Sequence, residues 1–279
     1  MTSPSPSLPE EPSSSTTYKA RLIGDYILEH LAEHKGKDEG GSPLMVAMHG
    51  PQGCDLYHTH ESLHSLSLRH PQNQLLSGRG LPGTHDLVLA QATVDAVLHC
   101  NTSDQTTLEL PVFDKSLHAG QGDRPARTVS VATPIDVFIL EGWSMGFQPL
   151  GPTELTRQYT HALSTPTCPR PAFLDHSLES LTQIDSYLST AAQTLYPPFQ
   201  VLIQIRPESY DYVYEWRKEQ EHAMIALRGA GMTDEQAEAF VRRYMPGYEL
   251  WSGVGDAWRG RSLVLWYGRG RDVVKVERL

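Results

Sequence analysis

Residues 44–57 read LMVAMHGPQGCDLY, an apolar run that enters a glycine loop and then abandons the pattern it began. A short apolar stretch bounded by turn residues reads as a buried strand, here Leu44 to Met48. Gly50, Pro51, Gln52, Gly53 and Cys54 follow the opening of G-x-x-x-x-G-K-[ST], the loop whose backbone N–H groups cradle phosphates. Gly, Lys and Ser or Thr should come next, but the chain has Asp55, Leu56 and Tyr57. That lysine is the positive charge on the outer phosphates, and the hydroxyl after it binds Mg²⁺. The half of the loop that grips a triphosphate is therefore missing.

Working outward from this loop, Tyr18 to His34 carries Leu22, Ile23, Tyr26, Ile27 and Leu31 on one stripe, the pattern of an amphipathic helix. Downstream, the sequence predicts a helix from Asp55 to His70 and a loop of turn residues from Pro71 to Asp86. A helix from Leu87 to His99 and a strand from Thr107 to Val112 come next. A basic, glycine-rich stretch from Lys115 to Arg127 precedes a buried strand, Ile135 to Leu140, which ends in Glu141, Gly142 and Trp143. Helices are predicted over 153–164, 174–194 and 210–227. Another begins after Thr233, where the run Thr-Asp-Glu-Gln forms a capping box. Strands are predicted at Phe199 to Ile205, Leu263 to Tyr267 and Val273 to Val276. Apolar strands alternating with helices specify an α/β fold with a mainly parallel sheet and helices on both faces. The Ser/Thr/Pro-rich residues 1–17 are expected to form a disordered tail, and 18–279 a single domain.

Bulk composition narrows the function classes. With 279 residues and 39% hydrophobic content the chain can bury one sizeable core. A formal net charge of −10 argues against a general nucleic-acid or membrane-surface binder. Three widely spaced cysteines, Cys54, Cys100 and Cys168, form neither a disulfide scaffold nor a zinc ribbon and fit a reducing compartment. No apolar run approaches a membrane span, and the first residues lack the basic and apolar features of a targeting signal. The expected location is the cytoplasm, with the nucleus also open.

Three motifs compete with the interrupted loop. His60, Glu61 and His64, with His70 beyond, nearly spell a zinc-protease signature. That signature needs a glycine at position 67, where the chain has Ser67. Gly142, Ser144 and Gly146 match the G-x-S-x-G nucleophile elbow. An elbow serine must open a helix, however, and Pro149 and Pro152 in the following residues oppose one. The basic segment containing Lys115, Arg124 and Arg127 gains meaning only beside a phosphate site. Glu141, at the carboxyl end of its strand, stands where α/β sheets bind ligands.

Taken in order, these segments resemble the glycerate kinase-like branch of P-loop small-molecule kinases, related to uridine kinase and phosphoribulokinase. The matching stretches are GPQGC (50–54), DLYHTHE (55–61), NQLLSGRGLPGTHD (73–86), FDKS and GDR (113–124), LEGW (140–143), VYEWRKEQEHAM (213–224) and the run from GMTDEQ to RYMPGYEL (231–250). Members of that branch read GPQG-x-GK[ST], then a helix and a strand, then D-D-L-Y. Here Cys54 runs straight into Asp55. A βαβ unit takes about 30 residues, so the resemblance implies that the first crossover helix, its strand and one aspartate are absent.

The same resemblance implies ATP and Mg²⁺ as cofactors and a small hydroxylated, glycerate-like acceptor. Gly50, Gly53 and Cys54 would be what remains of the phosphate cradle. Asp55 would be the surviving aspartate of the pair, and Glu141 the acidic residue acting on Mg²⁺ through water. Lys115, Arg124 and Arg127 would belong to a lid over the phosphates, and Arg79, His85 and Asp86 would contact the acceptor. With the loop lysine and hydroxyl gone, the expectation is weak or absent turnover. The alternative is a non-catalytic relative that binds a metabolite or partner.

Overall fold

The computed structural model describes residues 15–37, 41–54, 73–78, 82–112 and 123–279. Its centre is a six-stranded sheet whose layout follows from β1, Leu44–His49. All six β1 residues are buried. Leu44, Val46 and Met48 belong to one apolar cluster, whereas Met45 and Ala47 belong to a second. Successive side chains of a strand point to opposite faces, so the sheet is covered on both sides, as parallel sheets require.

β1 pairs in parallel with β5, Val137–Gly142, on one side and with β6, Val201–Pro207, on the other. Beyond β5 lies β2, Asn73–Gly78, also parallel. Beyond β6 come parallel β7, Ser262–Tyr267, and antiparallel β8, Val273–Arg278. The strand order is thus β2-β5-β1-β6-β7-β8. A separate antiparallel pair joins β3, Thr107–Pro111, to β4, Thr128–Ala132.

Seven α-helices are described: α1 Ser15–Lys37, α2 Leu87–His99, α3 Pro152–Ser164, α4 Leu178–Thr194, α5 Asp211–Arg228, α6 Asp234–Arg242 and α7 Met245–Trp251. Ile23, Tyr26 and Ile27 of the predicted α1 stripe are buried, together with Ala20. Thr233 caps α6 through the full reciprocal box with Gln236. Asp185 of α4 is buried. Its carboxylate accepts from the Leu150 and Gly151 amides at 2.7 and 3.0 Å and from Trp251 Nε1 at 2.8 Å. It ties the segment after β5 to α7.

One sequence expectation is corrected. Residues 73–78, expected within a loop from Pro71 to Asp86, form β2 and pair along the whole length of β5. β5 therefore keeps a neighbour on each side. The predicted helix from Asp55 to His70, and with it the zinc-like histidines, lies outside the described residues.

Candidate functional site

Parallel α/β sheets gather ligand-binding groups at the carboxyl ends of their strands. At that edge Met48 is in register with Glu141 and His49 with Gly142, while Gly78 of β2 lies against Gly142 from the other side. Glu141, half-buried, therefore stands between the ends of β1 and β2. Residues 50–54 leave β1 directly beside it, so Gly50, Gly53, Cys54 and Glu141 are brought to one edge.

The loop after β1 is folded into its surroundings. Cys54 is 2% exposed, and its amide donates to Pro51 O at 3.2 Å. The Gln52 amide donates to the buried Tyr248 hydroxyl at 3.3 Å. Gly53 has φ 73°, and a Cβ placed there would lie 2.8 Å from the Trp216 backbone of α5. Its carbonyl accepts from Arg271 Nε at 2.7 Å. A phosphate cradle needs amides aimed at open space; here the amides of Gln52 and Cys54 already have partners within the chain.

Behind the loop lies a polar cluster. Gln204 Nε2 and an Arg206 guanidinium nitrogen both donate to Ser252 O, at 2.7 and 2.6 Å. Tyr210 donates to Ser252 Oγ at 2.9 Å and stacks on Tyr248 with ring centres 5.0 Å apart. His49 is fully buried beside Phe147, and loss of water pushes its pKa down to about 3, with the Arg206 charge acting in the same direction. Only the backbone of Trp143 and Gly142 opposes this shift. Neither His49 nitrogen makes a geometrically complete hydrogen bond among the described residues, nor do Gln204 Oε1, Gln52 Oε1 and Arg206 Nε.

A second loop precedes α2. Asp86 Oδ1 caps that helix by accepting from the Leu89 amide at 3.0 Å, and Asp86 Oδ2 accepts from both terminal nitrogens of Arg124 at 3.1 and 3.2 Å. The Leu89 amide first, and then the Arg124 guanidinium, hold the Asp86 carboxyl below its ordinary pKa. His85 Nδ1 lies 3.1 Å from the Tyr187 hydroxyl of α4. Two expected site residues from separate motifs, Asp86 and Arg124, thus meet directly. Arg127 is exposed just ahead of β4. Asp55, Lys115 and Arg79 lie outside the described residues.

Ser144 sits in a tight turn, with the Met145 amide on Gly142 O and the Phe147 amide on Ser144 O, and the next helix starts only at Pro152. The elbow reading therefore lacks the helix that its serine must open. The sequence reading missed Tyr248, Trp216 and Arg271 as neighbours of the loop. No local signal marks them, although GRGRD (268–272) between two strands does mark a turn. No helix among the described residues is long and apolar enough to cross a membrane.

No protein-family model matches the chain. It is 33% identical to the Probable ATP-dependent kinase TDA10 of Saccharomyces cerevisiae, over an alignment of 281 positions that takes in 88% of this chain and 90% of the yeast one. It is 30% identical to the chloroplastic D-glycerate 3-kinase of Arabidopsis thaliana, covering 84% of this chain but 55% of the plant enzyme. Among solved structures, a D-glycerate 3-kinase from Cryptococcus neoformans superposes with a TM-score of 0.85 at 32% identity, covering 93% of this chain and 99% of that one.

Proposed function

The chain belongs to the glycerate kinase-like family of P-loop ATP-dependent kinases, and on that premise we propose a division between its two loops. The acceptor side retains the means to recognise a small hydroxylated acid such as glycerate. The nucleotide side has lost the means to turn over MgATP. The reaction of such kinases is mostly positioning: a loop cradles phosphates, Mg²⁺ bridges them, and an aspartate takes the proton of the acceptor hydroxyl.

The observation that carries the proposal is the loop after β1. Asp55, Leu56 and Tyr57 stand where the lysine and the Mg²⁺-binding hydroxyl belong. The Gln52 and Cys54 amides are held by Tyr248 and Pro51, and Gly53 lies flush against Trp216. The residues present do not fit a triphosphate. A single arginine finger is worth about 10³–10⁵ in phosphoryl-transfer rate; loss of the lysine and the hydroxyl together should reduce turnover at least as far. The yeast alignment is longer than the residues it takes in from this chain, as it would be where the relative carries residues that this chain lacks.

On the acceptor side, the Asp86–Arg124 pair joins the two motifs that the family resemblance assigns to acceptor and lid. This favours retained metabolite binding over a wholly inert protein. Thermal melts of the purified protein with 1 mM MgATP, and separately with D-glycerate, test the division. MgATP should leave the melting temperature unchanged, while glycerate should raise it. A site with Kd near 10 μM would add about 2.7 kcal/mol at 1 mM ligand, so a clear MgATP shift would overturn the loss of nucleotide binding.

A further inference from the structure

Arg271 lies in the turn between β7 and β8, and its φ of 63° is the one positive value at a non-glycine residue among the described residues. Strain of this kind persists where the surroundings over-determine it. The turn is closed by the Arg271 amide on Gly268 O and by the Gly268 amide on Asp272 O, both at 2.9 Å. The Arg271 side chain, 14% exposed, points back across the molecule. Nε donates to Gly53 O at 2.7 Å, one terminal nitrogen to Glu219 Oε2 at 2.6 Å, and the other to Trp216 O at 3.4 Å. The guanidinium carbon lies 5.4 Å from the centre of the Trp216 ring.

This arrangement holds the loop after β1 from one side, while α5 and Tyr248 hold it from the others. In this position Gln52 Oε1 of the loop and both nitrogens of the adjoining His49 are without complete hydrogen bonds among the described residues. Opening would return such groups to water, which favours the open form. A charge-assisted hydrogen bond to a backbone carbonyl opposes it.

We propose that Arg271 is the positioning residue of the 50–54 loop, a latch whose release opens the loop and uncovers Cys54 without unfolding the rest of the protein. Glu219 holds the outer end of the latch. The latch goes beyond the loss of nucleotide turnover and stands whether or not MgATP binds.

The three cysteines provide the test. Cys54 and Cys100 are buried, in the clusters on opposite faces of the sheet, and Cys168 is exposed. The whole chain is alkylated with N-ethylmaleimide, and each site is followed by peptide mass spectrometry as the ratio of variant to wild-type rate. Arg271→Ala should accelerate Cys54 alone by about tenfold to a hundredfold, the change in a local opening equilibrium when a charge-assisted hydrogen bond is lost. Arg271→Lys, which keeps a donor, should recover part of the protection.

Parallel acceleration of Cys54 and Cys100 would mean that Arg271 stabilises the whole fold, and would overturn the latch. An unchanged Cys54 rate would overturn it equally. Should Arg271→Ala fail to fold, Glu219→Gln gives the same reading with a smaller acceleration confined to Cys54, and no change there sinks the proposal. MgATP melts of the same samples report on the nucleotide reading separately, so one can fail while the other holds.

Discussion

The loop after β1 and the loop before α2 each turn on a glycine at positive φ, 73° at Gly53 and 93° at Gly83, yet they have become different kinds of structure. A Cβ at Gly53 would meet the Trp216 backbone at 2.8 Å, whereas one at Gly83 would meet, among the described residues, only the end of the Ile184 side chain at 3.7 Å. The first loop is packed against the core, two of its amides and one carbonyl engaged by Tyr248, Pro51 and Arg271. The second lies at the surface, where Asp86 and Arg124 hold each other with both side chains nearly half exposed. A solvent-exposed ion pair is screened and weak, so a ligand can exchange for it. A turn packed against α5, with two amides and a carbonyl already bonded within the chain, cannot be entered without first being taken apart. Ligand access is therefore decided less by which motif a loop descends from than by what its polar groups already bind.

The largest effect expected is with acid. The unfolded chain binds a proton at His49 near pH 6.5, the folded chain only near pH 3. Between those values the unfolded state holds more protons, so stability falls as pH falls, by about 1.4 kcal/mol per unit. Denaturant titrations of the wild type and His49→Leu across this range should diverge toward low pH, the variant being the less acid-sensitive. Parallel curves would place His49 in water and dissolve the contrast at its root.

Next in size is Asp185→Ala, which leaves three donors without their acceptor, the partly buried Leu150 and Gly151 amides and the buried Trp251 indole. A loss of about 4 kcal/mol is expected at such a site, read as a lower urea midpoint. A loss below about 1 kcal/mol would show that water replaces the carboxylate, contrary to a dry frame behind the loops.

The two glycines then test the contrast itself. Gly53→Ala adds a clash with backbone to the positive-φ strain and should destabilise by about 3 kcal/mol. Gly83→Ala carries the backbone strain alone, about 1 kcal/mol. Equal losses would mean that both loops are equally free to move. Smallest of all is Asp86→Asn, which keeps a side-chain cap on α2 but discharges the pair with Arg124. The lowered Asp86 pKa makes its contribution present above the ordinary carboxylate range and lost as pH falls through the folded value. Melting temperature at neutral pH should scarcely move, while a glycerate-induced shift, if the acceptor site is here, should shrink.

Elements whose causes are local were legible from residue order alone. The stripe of α1, the Thr233–Gln236 box of α6 and the unbroken apolar run of β1 depend on residues within a turn or two of one another, and each formed where its pattern placed it. So did the departure of the loop at Asp55, which is a matter of residue identity alone. Most of the candidate site was nameable for the same reason, through the motif residues Gly50, Gly53, Glu141, Asp86 and Arg124. What those residues touch was decided by tertiary structure. Residues 73–78, NQLLSG, carry turn formers at both ends and read as a loop. They became a strand because the edge of β5 offers backbone donors and acceptors that pairing satisfies. Arg271 reaches Gly53 across 218 positions of sequence. A contact of that span has no local signature, because only the closing of the sheet brings the last hairpin to the end of β1.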